Sequence, residues 1–327
     1  MPSLKEIKGR IASVKSTLKI TSAMKLVASA KLRKAQQAIE GMRPYERKLQ
    51  EMLGRLTAQV GGSGVALSGA YARVGSRNDA EESATPGLEA SAEERVAIVA
   101  FASNSSLCGA FNANAVRLTL ETIQSYGDAP VTVYSVGRKM ADAMKKVGYP
   151  SPADYQHLAD KPSYAEAAAL AEQLMEDYRE GRVDRVELVY NHFVSSGKQV
   201  PVWETFLPME ISPRASLGRN DNPSTPDRND SGIVITSEAK ESETDYILEP
   251  SARELLEELL PKSLKLKFYT ALLDSNASEH AARTVAMQTA TDNGEDLLQE
   301  LTLQYNKSRQ QKITAEILDL AGGSQEK

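Results

Sequence analysis

Ser103-Asn104-Ser105-Ser106-Leu107-Cys108-Gly109-Ala110-Phe111-Asn112 follows the apolar run Arg95 to Phe101, the place where a dinucleotide-binding fold carries its phosphate loop. Holding phosphate there takes glycines that let the backbone approach closely, or a lysine beside them. The loop has neither G-x-G-x-x-G nor G-x-x-x-x-G-K-[ST], so no direct nucleotide binding is expected. Cys108 is the only thiol, and paired with His157 or His192 it would make a nucleophile and base. Nothing in their spacing supports that, and a lone cysteine next to a buried strand packs as a small hydrophobe. His157, His192 and His280 show no metal-ligand spacing, and no carboxylate pair stands out from the acidic background. The sequence argues against an enzyme acting alone: no catalytic residue, metal or cofactor is expected.

The elements around that loop read as a small α/β domain. Arg95 to Phe101 suits a buried strand, followed by a helix near Asn112 to Gln124, a strand at Val131 to Val136 and a helix at Arg138 to Val147. Ser163-Tyr164-Ala165-Glu166 is a capping box for a third helix to about Tyr178, and β-rich runs at Val186 to Val194 and Gln199 to Phe206 follow. Strands and helices alternating at this length predict a partly parallel, Rossmann-like sheet domain without a nucleotide site.

Two long helices bracket that domain. Ser3-Leu4-Lys5-Glu6 is a capping box, after which Leu4, Ile7, Ile11, Val14, Leu18, Thr21, Lys25, Ala28, Leu32, Ala35, Ile39 and Met42 follow at alternating spacings of three and four. A 3.5-residue seam stays facing a partner helix only if the two wind left-handedly together. The partner is the C-terminal stretch, which opens at Ser251-Ala252-Arg253-Glu254 and runs without proline from Lys262 to Leu320, roughly 88 Å at 1.5 Å per residue. Pro44 and Pro261 are candidate bends. In that stretch Ala277, Ala281, Ala282, Ala286 and Ala290 form a small-residue band, and Ile313, Ile317 and Leu320 an apolar tip that a partner normally hides. Thr21 and Lys25 interrupt the seam. An ammonium there costs stability unless its head reaches water or an acidic group, so this segment either snorkels or touches something outside the chain.

The predicted division is a coiled-coil helix at 1–60, a flexible linker at 61–94, the α/β domain at 95–213, a flexible insertion at 214–244 and a second coiled-coil helix at 245–327. The first 50 residues hold twelve Lys/Arg against Glu6, Glu40 and Glu46, in a chain whose net charge is −5. That asymmetry fits an acidic protein surface or nucleic acid, or simply a solvated face. A single cysteine fits a reducing compartment, and no apolar run reaches the roughly 20 residues that span a bilayer.

Three long motifs carry a resemblance. They are Lys19-Ile20-Thr21-Ser22-Ala23-Met24-Lys25-Leu26-Val27-Ala28-Ser29-Ala30-Lys31, then Ala277-Ser278-Glu279-His280-Ala281-Ala282-Arg283-Thr284-Val285-Ala286-Met287, and Tyr305-Asn306-Lys307-Ser308-Arg309-Gln310-Gln311-Lys312-Ile313-Thr314. With them the chain resembles the gamma-subunit family of F-type ATP synthases, outside 61–94 and 214–244. The resemblance implies an antiparallel coiled-coil shaft inside a hexamer of alpha and beta subunits, one copy per hexamer. The α/β domain would be a foot resting with the epsilon subunit on the c-ring. Proton or sodium flow would turn the ring and shaft and drive ATP synthesis or hydrolysis in the hexamer, with catalysis left to alpha and beta.

By the same resemblance Met24 and Lys25 match a segment near an acidic lever of the beta subunit, and Arg283 matches the arginine facing it. Arg309, Gln310 and Thr314 match polar contacts to a beta-subunit loop near the top of the shaft. The loop departs from the family's Ser-Asp-Arg-Gly, carrying Ser103-Asn104-Ser105-Ser106, and the insertion lacks the cysteine pair of chloroplast relatives, so no thiol switch is expected. The implied location is peripheral, on the cytoplasmic side of a bacterial inner membrane. The alternatives are a nucleic-acid-binding coiled coil, a nucleotide-dependent α/β enzyme, and the shaft of an archaeal-type rotary ATPase, which shares the helix pair but not the domain between its helices.

Overall fold

A computed structural model describes residues 3–60, 94–209, 249 and 251–323. The linker and insertion expected at 61–94 and 214–244 lie outside the described residues, apart from Glu94. Helix α1 spans Leu4–Val60 and runs on through Pro44. Next come β1 (Val96–Phe101), α2 (Phe111–Ser125), β2 (Val131–Val136), α3 (Arg138–Val147), α4 (Gln156–Asp160), α5 (Tyr164–Arg179), β3 (Arg185–Ser195), β4 (Lys198–Leu207) and α6 (Ala252–Gly323). The architecture is mixed α/β, with a central sheet between N- and C-terminal helices.

Capping fixes where the long helices start. Ser3 Oγ accepts from the Glu6 N–H and Ser251 Oγ from the Glu254 N–H, each at 3.3 Å. Ser163 precedes α5 without a side-chain cap bond, so the third expected box does not form. Helix α6 has 72 residues, about 108 Å at 1.5 Å per residue, and carries Pro261 in its interior.

All twelve seam positions of α1 are buried or half-buried, and they face α6. Leu32, Ala35 and Ile39 pack with Leu273, Ala277 and Ala281, whereas Leu49, Leu53 and Leu56 join Leu256, Leu260 and Leu264. The helices therefore run antiparallel. Thr21 meets Thr291 hydroxyl to hydroxyl at 3.0 Å, and Leu18 lies against Gly294, where an added Cβ would come within 2.7 Å of it. Both pairs set one register, which brings the start of α1 level with about residue 308. Beyond that level α6 projects alone, with Ile313, Ile317 and Leu318 exposed.

The sheet order is β2-β1-β3-β4, with β1 parallel to β2 and β3 and with β4 antiparallel at the edge. Every residue of β1 is buried because both sheet faces are covered. Val96, Ile98 and Ala100 face α2 and α3, while Ala97, Val99 and Phe101 join the core built with α5, α6 and the end of α1. Phe268 of α6 anchors that core, edge-on to Phe101 at 5.7 Å and to Phe206 at 5.9 Å. On the other face Glu187, fully buried, accepts from Tyr126 Oη at 2.7 Å, Trp203 Nε1 at 2.9 Å, Thr205 Oγ1 at 3.2 Å and Arg185 Nη1 at 3.3 Å.

Gly137 links β2 to α3 at φ +103°, and a Cβ there would meet the Ala102 carbonyl oxygen at 2.1 Å. Gly148 ends α3 at φ +98° with open space around it. Gly137→Ala is expected to cost at least ~3 kcal/mol, through strain plus a backbone clash, and Gly148→Ala only about 1 kcal/mol. Urea unfolding of the two variants checks this; equal losses would contradict it.

Candidate functional site

The C-terminal end of β1 is the crevice in which an open α/β sheet offers a ligand site. Here the chain's own groups fill it. Asn112 Oδ1 accepts from Ser103 N at 3.0 Å and from Ser103 Oγ at 2.9 Å, and Cys108 is buried beside them, 3.1 Å from Asn112 Nδ2. The N-terminus of α3, which could attract an anion, is taken by Asn104, whose Oδ1 accepts from Arg138 N at 2.8 Å. Asn104 Nδ2 turns to α4, donating to Asp160 Oδ2 at 2.7 Å and to the Gln156 carbonyl at 2.8 Å. Among the described residues no group of three or more His, Cys, Asp or Glu side chains is placed to hold a metal ion.

What reaches this crevice is helix α6. Residues 271–281 are buried without a break, on every side of the helix. Arg283 donates from Nη1 to Glu279 at 2.5 Å and from Nη2 to Ser105 Oγ at 2.8 Å and the Ser106 carbonyl at 3.4 Å. Asn276 Nδ2 donates to the Ala159 carbonyl of α4 at 2.8 Å. On the β3 side Ser278 Oγ donates to the Asn191 carbonyl at 2.8 Å, and Asp274 accepts from Phe193 N at 3.2 Å and pairs with His192 Nδ1. Two turns away Lys267 lies 3.7 Å from Glu204 and donates to the Thr205 carbonyl at 3.3 Å.

The six sequence-predicted residues occupy three places rather than one. Met24 and Lys25 are half-buried on α1, flanked by exposed Ile20, Leu26 and Val27. Arg283 is buried at the junction of α6 with the β1–α2 loop, about one turn from the level of Lys25. Arg309, Gln310 and Thr314 are exposed on the projecting end, roughly 40 Å along α6 from Arg283. Of the alanine band, Ala277 and Ala281 are buried and Ala282 and Ala286 half-buried, but Ala290 is exposed. The sequence reading passed over Asp274, Asn276 and Ser278. Their signal was present as a dense polar run in mid-helix, interrupted only by Ala277.

A family model described as ATP synthase matches residues 3–325. A Phocaeicola vulgatus protein named ATP synthase gamma chain is 50% identical over 331 residues, covering 99% of both chains. The chain belongs to the ATP synthase gamma-chain family. The gamma chain of Flavobacterium johnsoniae is 38% identical, again over 99% of each. Among solved structures, a chain of the Euglena gracilis mitochondrial ATP synthase in rotational state 3 superposes with a TM-score of 0.57, covering 98% of this chain and 93% of that one. At 20% identity this likeness speaks for a shared fold alone.

Two histidines of this gamma chain are tuned in opposite directions. His192 is raised above the usual range, chiefly by its hydrogen bond to Asp274. His280 is lowered to about 4 by burial first, then by the charges of Lys31 and Arg283, and its Nδ1 has no hydrogen-bond partner among the described residues. Because His280 has a lower pKa folded than unfolded, the unfolded chain takes up the proton first. Its contribution is full above about 6.5, falls as pH drops and is gone below about 4, a loss on the order of 3 kcal/mol. Unfolding followed by circular dichroism from pH 4 to 7.5 is expected to show this dependence reduced in His280→Gln. Parallel curves for the two proteins would contradict it.

Proposed function

We propose that this chain is the central-stalk rotor subunit of an F-type ATP synthase, a non-catalytic shaft that couples ion flow through a membrane c-ring to ATP synthesis or hydrolysis in an alpha-beta hexamer. The observation that carries the reading is the end-to-end relation to bacterial gamma chains, 50% identical over 99% of both sequences. The filled crevice after β1 supports a role without nucleotide chemistry of its own.

The helix pair works as a left-handed antiparallel coiled coil, a reading supported by a 3.5-residue seam that is buried or half-buried at all twelve positions. Its two helices, 1–60 and 245–327, form the shaft; 95–213 is a Rossmann-like foot, with a linker at 61–94 and an insertion at 214–244. The partners are the alpha and beta subunits, one gamma per hexamer, with epsilon and the c-ring at the foot. Among the described residues no helix is long and apolar enough to cross a membrane. In this reading the chain is peripheral, held by those partners on the cytoplasmic side of a bacterial inner membrane.

Met24, Lys25, Arg283, Arg309, Gln310 and Thr314 are the coupling residues. Met24 and Lys25 meet an acidic beta surface at the level where exposed Ile20, Leu26 and Val27 cannot be covered by α6. Arg309, Gln310 and Thr314 act on the bare end of α6. Arg283 acts from the junction with the foot. A shaft that contacts three beta subunits with different free energies shifts the populations of their conformations as it turns.

Co-expression with alpha and beta subunits is expected to give a native mass of one gamma within three alpha-beta pairs. A homodimer that ignores both subunits would overturn the reading and favour nucleic acid. Deleting 313–327 removes exposed Ile313, Ile317 and Leu318, which no described residue covers. The truncated chain is expected to assemble or couple less well while still unfolding cooperatively; loss of that cooperativity would contradict the assignment.

A further inference from the structure

Helix α6 is gripped by polar bonds from two opposite sides at one level. At 3.6 residues per turn Ser278 lies about 40° round the helix from Asp274, whereas Asn276 and Arg283 lie about 200° and 180° from it. The first pair is bonded to β3, through the Asn191 carbonyl, Phe193 N and His192. The second is bonded to α4 and the β1–α2 loop, through the Ala159 carbonyl, Ser105 Oγ and the Ser106 carbonyl. Lys267, about 20° round from Asp274, is a third side chain holding the sheet side, through Glu204 and the Thr205 carbonyl.

Apolar contact alone does not fix an angle. Burial is non-directional, and what resists rotation in an apolar contact is the interlocking of large side chains, of which Ala277 and Ala281 supply little. Hydrogen bonds weaken steeply when misaligned. Bonds on opposite flanks resist turning in both senses, because any rotation of α6 stretches both sets. The alanines between them, Ala277 and Ala281, leave the third side to α1 at close range.

We propose that residues 274–283 of α6, with Ser105, Ala159 and His192-Phe193, form a keyed joint that fixes the angle between shaft and foot, and that Arg283 contributes by holding Ser105 as part of that joint. Asp274, Asn276 and Ser278 are thereby positioning residues for torque transfer. This rests on the rotor reading above.

The test uses the whole complex in lipid vesicles, with the pairs Asp274→Ala/Ser278→Ala and Ser105→Ala/Asn276→Ala, alone and combined, and Asp274→Asn as the conservative variant. ATP hydrolysis and ATP-driven ion uptake are read in the same vesicles, and the angular spread of a bead on the foot is read on single complexes. Removing half the keying bonds is expected to widen the angular variance at rest about twofold and lower ion uptake per ATP by a similar factor, with hydrolysis unchanged. Asp274→Asn, which can still bond to Phe193 N and His192, is expected to keep the wild-type ratio. Unaltered spread and ratio in the pair variants would overturn the joint. So would parallel losses of hydrolysis and uptake with a lowered melting temperature, the mark of a merely structural role. Wild-type complexes in which the foot does not turn on ATP addition would instead overturn the rotor reading itself.

Discussion

The whole architecture answers one constraint: a helix of 72 residues needs cover along its length. An isolated helix in water is marginal, and α6 draws its stability from what packs on it. Cover comes in three modes. Near its start the sheet domain and the end of α1 bury Leu256, Leu260, Leu264 and Phe268 in one core. Next α4, β3 and the β1–α2 loop join α1 around residues 271–283, and beyond them α1 runs alongside down to the Thr21–Thr291 and Leu18–Gly294 contacts. Past the start of α1 no described residue supplies it.

Placing the sheet domain against α6 decides the fate of the crevice at the end of β1. In a parallel sheet that crevice is lined by backbone donors and helix termini, and they need partners whether or not a ligand comes. Asn104 satisfies two elements at once, taking the Arg138 N–H of α3 and giving its amide to α4, and Arg283 takes the loop's serines. An aspartate in place of Asn104 would set two carboxylates against each other at Asp160, so the amide suits this neighbourhood. Groups that elsewhere bind a ligand here bind a helix.

Much of this was legible in the sequence because it is periodic and local. The seam from Leu4 to Met42 could be read position by position, and even at the two apparent faults Thr21 is buried against Thr291 and Lys25 is half-buried. The strands announced themselves as short apolar runs between turn residues. Helix α4, only five residues long, carries no period and was missed. The polar contacts of α6 were also invisible, for a different reason. Arg283 and Ser105 are 178 positions apart, Ser278 and Asn191 are 87, and no local pattern says which distant carbonyl a mid-helix serine will find. The run Asp274 to His280 could be seen as polar, yet not as buried, since burial there depends on three other elements closing round it.

The antiparallel pairing of the first helix with the last also fixes an order of events. On a ribosome α1 emerges complete long before α6 exists, and about 190 residues separate the end of one from the start of the other. At 5–20 residues per second that interval lasts roughly 10 to 40 s. Throughout it the seam of Ile7, Leu32 and Ile39 has no intramolecular partner, and the sheet domain lacks Phe268 for its core. The fold thus has high contact order at its largest interface, and the pairing that buries that seam forms only after the last helix has been made.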